Sequence, residues 1–208
     1  MPESCFLSKF AGCLHVIDVM LLLKRQHWSC HIYQNFMRQN VSFEIRRLLP
    51  SELADILVLQ KQCMDVMPAP ELYYPLTEEE LEESFEYDIP LGVFVGDELA
   101  AAAVIVKNRG GDRSVALAAG CAAEETFTFD AVIVSPKWRG YGLQKILINQ
   151  CIELAGKEGI RNTVATVSPE NSHSLNNFLK SGFKIVSTSE KYGGLQRHIL
   201  KFDTENKS

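Results

Sequence analysis

The stretch from Val132 to Lys145 constrains this chain more than any other. Val132-Ile133-Val134 reads as the end of a buried strand, and Ser135-Pro136 breaks it. Arg139-Gly140-Tyr141-Gly142 then turns the chain directly into a helix that begins at Leu143. A helix start leaves backbone N–H groups without intrahelical partners, and the helix dipole adds positive potential there. Glycines let an anion approach the main chain closely, so an anion site is expected over Gly140–Lys145. The dipole contributes roughly 0.3–2 kcal/mol, and each charge-assisted hydrogen bond about 1.5–3 kcal/mol. Several such bonds would hold a pyrophosphate. Spacing excludes two familiar phosphate loops: G-x-x-x-x-G-K-[ST] is absent, and Gly140-x-Gly142-x-x-Lys145 lacks the third glycine of a dinucleotide fingerprint. Taken alone, the segment is also compatible with a plain strand-to-helix turn.

The surrounding pattern alternates strands and helices. Residues 42–49 read as a strand. Pro50-Ser51 opens a helix with apolar positions at Leu53, Ile56, Leu57, Met64 and Met67, and Gln60 as the exception. Prolines 68, 70 and 75 enclose an irregular loop holding Tyr73 and Tyr74, and Thr77-x-x-Glu80 is a capping box for a second helix. Leu91–Val95 and Leu99–Val106 form a hairpin about Gly96-Asp97. Val115–Ala123 is ambiguous, with a short helix as one reading. Phe127–Val134 is a strand, Leu143–Lys157 a helix closed by Gly159, Asn162–Val167 a strand, and Ser172–Ser181 a helix ending at Gly182. Phe183–Ser187 and His198–Phe202 are two further strands about Tyr192-Gly193-Gly194. The order β-α-α-β-β-β-α-β-α-β-β predicts a mixed α/β sheet with helices on both faces.

A chain of 208 residues, 46% hydrophobic, has room for one domain and an appendage. With 21 basic against 26 acidic residues the formal net charge is −5, which argues against a generally basic nucleic-acid binder. The six cysteines are scattered without a C-x-x-C, as in a reduced, cytoplasmic protein, and no Cys or His spacing fits a metal site. The apolar run Phe10–Leu23 is shorter than the roughly 20 residues a spanning helix needs. Lacking the basic start and cleavage site of a signal peptide, it reads as an amphipathic or loosely docked helix rather than a transmembrane segment. Met37, just ahead of the first regular strand, is a candidate native start.

The phosphate-turn segment has a second block after it. Arg139-Gly140-Tyr141-Gly142-Leu143-Gln144 matches [QR]-x-x-G-x-[GA] except at Gln144, and Asn171 to Phe183 matches N-x-x-[AS]-x-x-x-[YF]-x-x-x-G-F. Together these blocks resemble the GNAT superfamily of acyl-CoA-dependent N-acetyltransferases, over about residues 42–203. The resemblance implies a mostly antiparallel mixed sheet splayed between two central strands. It divides the chain into an N-terminal extension (1–40), an N-acetyltransferase domain (41–204) and a tail (205–208). It implies acetyl-CoA as co-substrate, no metal, and a small-molecule or peptide amine as acceptor, attacking directly in a ternary complex. A homodimer is among the assemblies it allows. In the family, main-chain groups matching Val132, Ile133 and Val134 pair with the pantetheine arm, and the turn from Arg139 through Gly140, Tyr141, Gly142, Leu143, Gln144 and Lys145 wraps the pyrophosphate. Asn171 and Ser174 would bond the pantetheine or phosphate groups, and Asn171 also suits a helix cap. A side chain at Gln144 crowds that turn.

Acyl transfer to an amine needs a neutral amine, a polarised thioester carbonyl and a leaving thiolate. Asp130, on the strand leading to the turn, is the candidate base, and strict alternation would put it on the same side as Val132 and Val134. A hydrated strand-edge Asp is the plainer reading. Where some members carry a Glu this chain has Thr166, and where the usual acid is Tyr it has Phe178. Tyr192, in a loop that borders the acceptor site in this fold, is the candidate replacement, with a purely structural tyrosine as the alternative. Tyr141 is expected to pack beside the turn. Tyr73 and Tyr74 fall where the family forms its substrate wall. The seven acids from Glu78 to Asp88 are either a solvated helix face or a field for a cationic amine. An acyl-CoA-binding sensor with little transferase activity is the competing function.

Overall fold

The computed structural model describes residues 41–107 and 115–204. The apolar run Phe10–Leu23, the Met37 start, the extension 1–40 and the tail 205–208 lie outside the described residues.

Strand β1 (Glu44–Arg47) is followed by helix α1 (Leu53–Asp65), α2 (Glu78–Tyr87), the hairpin β2 (Ile89–Val95) and β3 (Glu98–Lys107), and a short helix α3 (Val115–Ala118). Then come β4 (Thr126–Val134), α4 (Leu143–Lys157), β5 (Asn162–Val167), α5 (Ser172–Lys180), β6 (Lys184–Lys191) and β7 (Leu195–Asp203). The expected order of strands and helices holds, and the ambiguous segment opens as the one-turn helix α3. The capping box of α2 forms as its sequence requires: Glu80 N–H donates to Thr77 Oγ1 at 3.2 Å, and Thr77 N–H donates to the Glu80 carboxylate at 2.9 Å.

The seven strands lie in the order β1-β2-β3-β4-β5-β7-β6. Every neighbouring pair is antiparallel except β4–β5. That parallel ladder joins only Thr126–Thr128 to Asn162–Val164, although β4 continues to Val134 and β5 to Val167. Beyond Thr128 the two strands part, and a cleft opens between them. The expected splay is therefore present.

Helices cover both faces. On one side α4 and α5 bury Leu147, Ile148, Cys151, Ile152 and Phe178 against Val93, Ile105, Phe127, Phe129 and Leu200. On the other, α1 and α2 bury Ile56, Leu59, Cys63 and Leu81 against Phe94, Ala102 and Val104. Each such side chain contributes about 1.5–3 kcal/mol when fully buried. The inward stripe of α1 differs from the expected one: Ile56, Leu59, Gln60 and Cys63 are buried, while Met64 is 43% exposed. Gln60 points inward because it has work there: its amide receives the Tyr73 hydroxyl and Leu76 N–H and donates to the Leu76 carbonyl. One buried amide thus pins the proline-rich loop to α1.

Candidate active site

The site forms where β4 and β5 part, and its geometry depends on a bulge. Opposite Ala102 and Val104 on β3 stand Ile133 and Asp130 on β4, so Ala131 and Val132 together face the single residue Ala103. Ala131 takes the bulge in a left-handed conformation, φ 49°. The extra residue reverses the alternation beyond it. Val104, paired with Asp130, belongs to the α1–α2 face, whereas Ala101, paired with Val134, belongs to the α4–α5 face, as does Val132. Asp130 therefore projects on the opposite side from Val132 and Val134, correcting the placement expected from strict alternation.

Asp130 shares its face with residues of two further strands. Thr128 pairs with Val164 and Thr166 with Ile199, so period-two alternation puts Asp130 (β4), Thr166 (β5) and Arg197 (β7) on one face. They line a cleft together with Tyr73, Tyr74, Phe129, Val132, Asn171, Ser174, Phe178 and Tyr192. Seven expected site residues meet there: Tyr73, Tyr74, Asp130, Val132, Asn171, Ser174 and Tyr192. Ile133 and Val134 do not line it. Ile133 instead packs beneath α1 and α2, and the Val134 carbonyl accepts the Cys63 thiol at 3.2 Å.

The tyrosines have distinct tasks. Tyr73 donates its hydroxyl to Gln60 at 2.9 Å and is held in the wall of the cleft, where burial raises its pKa. Tyr192, at φ 52°, stacks on Tyr74 with centroids 4.5 Å apart, and its hydroxyl lies 2.9 Å from Thr166 Oγ1. Burial, followed by the nearby Asp130 charge, pushes the Tyr192 phenol up to about 12. It is therefore protonated at neutral pH and suited to donate a proton. Asp130 is reachable from the cleft but otherwise enclosed, and desolvation lifts its carboxyl above the ordinary aspartate range. The Ala131 N–H bond at 2.8 Å opposes that rise, while Glu80 and Asp88 add to it. None of the acids of α2 lines the cleft.

The anion turn lies apart from this cleft but is linked to it. Helix α4 starts from Gly142 at φ 77° with no side chain capping its first turn, after Gly140 at φ 86°. A Cβ built at either glycine meets nothing within 4 Å. Leu143 sends its side chain into the core, and Tyr141 packs edge-on to Phe43 and Trp138, as expected for a residue beside the turn. The Gln144 side chain turns sideways, donating to Ser174 Oγ and accepting from Asn177 Nδ2, both at 2.8 Å. Its bulk is drawn toward α5, which resolves the expected crowding. Asn171 caps α5, its Oδ1 accepting from Ser174 N–H at 3.1 Å.

Two cleft residues escaped the sequence reading. Thr166 figured there only as the replacement for an acid, yet it holds the Tyr192 hydroxyl. Arg197 is 3% exposed, and its inward position on β7, alternating with Leu195 and Ile199, is the signal that would have found it.

The model of the Acetyltransferase (GNAT) family matches residues 53–183. No curated protein matches the chain significantly. Solved structures share its fold. An N-acetyltransferase from Staphylococcus aureus Mu50 has a TM-score of 0.62 at 21% identity, over 78% of this chain and 99% of that one. The ribosomal-protein-S18-alanine N-acetyltransferase from Escherichia coli has a TM-score of 0.61 at 15% identity, over 78% and 94%. YncA from Salmonella typhimurium, solved with its cofactor acetyl-CoA, has a TM-score of 0.61 at 18% identity, over 80% and 96%. With both sequence blocks, the splayed sheet and a family match over most of the domain in place, the chain belongs to the GNAT acetyltransferases.

Proposed function

We propose that this enzyme transfers the acetyl group of acetyl-CoA to a primary amine of a small molecule or peptide, by direct attack in a ternary complex. The observation that carries the reading is a carboxylate and a protonated phenol, Asp130 and Tyr192, in one cleft at the parting of β4 and β5. The YncA structure with acetyl-CoA and the alanine acceptor named for the Escherichia coli enzyme favour the same donor and acceptor classes.

The residues present fit the coenzyme. The inner edge of β4 beyond Thr128 has no β5 partner, which supports the reading that main-chain groups of Val132, Ile133 and Val134 receive an extended amide-bearing arm. The uncapped start of α4, from Arg139 and Gly140 to Lys145, suits the pyrophosphate, with open space above both glycines. Asn171 and Ser174 line the cleft, which supports their contact with the pantetheine or phosphate groups. When bound, acetyl-CoA supplies a thioester carbonyl open to a nucleophile.

Asp130 accepts the proton that an arriving ammonium must lose. For an amine of pKa about 10.4 that loss costs roughly 4–5 kcal/mol at neutral pH. A carboxylate with a raised pKa is the better acceptor, because its basicity moves toward working pH. Tyr192, oriented by Thr166 and by the Tyr74 ring, donates a proton to the departing sulfur. It thereby replaces the hydroxyl missing at Phe178, which is 1% exposed and packs edge-on to Phe129 and Phe183.

We take residues 41–204 as the catalytic domain, with 1–40 an appendage and 205–208 a tail. The buried free thiols Cys63, Cys121 and Cys151 suit a cytoplasmic setting. The acyl-CoA sensor remains the second reading, favoured by the hydroxyl-free Phe178. Thiol release from acetyl-CoA over a panel of amines separates the two. Acceptor-dependent release supports transfer, whereas micromolar binding without stimulated release supports the sensor.

A further inference from the structure

Arg197 is out of place as a structural residue. Its guanidinium is buried at the cleft, yet among the described residues it forms no ion pair. Two of its five N–H donors go to main-chain carbonyls, Nη1 to Gln196 at 2.9 Å and Nη2 to Glu71 at 2.8 Å. The other three have no acceptor among the described residues. Among the described residues its aromatic neighbour is Tyr192, whose centroid is 5.7 Å away. Burial pulls its pKa down, the sign of a cation held out of water without a counter-charge. Buried charges are ordinarily paired, because an unpaired one gives up its hydration with nothing to replace it. An arginine with a free edge in a cleft is built to receive a planar anion, which its fork binds through two parallel hydrogen bonds.

The position of that anion follows from the sheet. Asp130 and Arg197 stand on the same face, on β4 and β7, with Thr166 on β5 between them. Asp130 is level with Thr166 and Ile199, and Arg197 stands two residues further along β7, so two strand spacings and two residue rises part their backbones, roughly 12 Å before the splay is counted. The reach of the two side chains, two charge-assisted hydrogen bonds of about 2.8 Å each and the short N–C–C–O span of an amino acid together cover a distance of that order. Such a molecule presents its ammonium to Asp130 and its carboxylate to Arg197, with Tyr73, Tyr74 and Tyr192 around its remaining atoms.

We propose that the acceptor is an amino acid, an amine carrying a carboxylate close by, and that Arg197 is the residue that selects it. This rests on the acetyl-transfer reading above and narrows it. In the step itself the amine nitrogen bonds to the acetyl carbon and the carbon–sulfur bond breaks. The amine's ammonium form sheds two protons on becoming an amide: Asp130 takes the first before attack, the second replaces on Tyr192 the proton that the phenol gives to the departing sulfur, and the carboxylate held by Arg197 is unchanged.

The test compares acceptors in pairs with the full chain at saturating acetyl-CoA. α-Amino acids with small, aromatic and basic side chains are each set against the corresponding decarboxylated amine and the methyl ester, and thiol release is followed. At least one amino acid is expected to exceed both of its partners in kcat/KM by about 10–100-fold, the worth of a charge-assisted pair. Arg197→Gln is expected to remove that preference mainly through KM, and Arg197→Lys to restore part of it. Melting curves and acetyl-CoA affinity of each variant confirm that it is folded. Decarboxylated amines or esters turned over as fast as the acids would overturn the proposal. So would a folded Arg197→Gln that slows acids and amines alike, as expected if the arginine merely ties the Glu71 turn in place. Release with amines but without preference for acids leaves acetyl transfer standing and defeats only the selection by Arg197. If no acceptor stimulates release, both readings fall.

Discussion

Tyr192 lies flat on Tyr74, their ring planes 15° apart and their centroids separated by 4.5 Å. The stack joins the loop between β6 and β7 to the proline-rich loop before α2, so two segments distant in sequence share one wall of the cleft. An offset aromatic pair contributes about 0.5–1.5 kcal/mol beyond its buried area. Tyr192→Phe keeps the stack and deletes the hydroxyl beside Thr166. It is expected to lower kcat by about 10²-fold while leaving acetyl-CoA affinity within twofold. Steady-state kinetics with calorimetric binding checks this, and an unchanged kcat would remove Tyr192 from proton transfer.

Asp130 couples rate to stability with opposite signs. Its carboxyl titrates higher in the folded than in the unfolded chain, so the folded state keeps a proton that the unfolded state has already released. Stability therefore falls as pH rises from about 3.9, the ordinary aspartate value, through the folded pKa. Asp130→Asn carries no charge to desolvate. Its melting temperature is expected to exceed that of the parent at pH 8, and the gap to close toward pH 4. Each kcal/mol corresponds to about 2–4 °C for a chain of this size. Turnover of the same variant is expected to drop by about 10²–10⁴-fold. A variant both active and no more stable at pH 8 would mean that Asp130 is neither base nor buried charge.

Gly142 begins α4 at φ 77° with empty space where a Cβ would stand. Gly142→Ala is expected to cost about 1–2 kcal/mol through backbone strain alone, read from denaturant unfolding. Gly142→Glu adds a negative charge at the anion turn and is expected to abolish coenzyme binding, measured by titration calorimetry. Retained binding would move the pyrophosphate elsewhere.

Gly92 is limited by space rather than by backbone angle. A Cβ there would lie 2.7 Å from Phe94 Cε2, 2.8 Å from Leu48 Cδ2 and 3.0 Å from Leu99 Cδ1. Gly92→Ala is expected to destabilise by about 1–3 kcal/mol, the usual cost of overpacking. Thermal melting of a variant with unaltered coenzyme affinity would separate this core effect from the site.

Elements with long, unbroken periodicity were the readable part. Helix Leu143–Lys157 and strand Asn162–Val167 match their expected limits because a glycine or an apolar run marks each end. Both motif blocks were legible for the same reason: main-chain turns need glycine and caps at fixed spacing. The bulge at Ala131 was not. Thr126–Val134 alternates without a glycine or proline, so nothing local reveals that one residue is extra, and strict alternation puts Asp130 on the wrong face relative to Val132. Arg197 was hidden by a boundary. Strand β7 starts at Leu195 rather than His198, because pairing with β6, not local propensity, sets where it begins. Burial of a charged side chain depends on its neighbours in space, to which a one-dimensional pattern is blind.

The three-residue ladder between β4 and β5 has a consequence for solubility. An unpaired strand edge on the outside of a sheet is a template for another chain and a route to aggregation. Here that edge is turned inward, with tyrosines on one flank and the start of α5 on the other. Both flanks leave that edge facing the cleft rather than an outer side of the sheet. The fold thus keeps hydrogen-bonding backbone on offer to a ligand at an interior edge, away from the outer edges where strands of other chains would add.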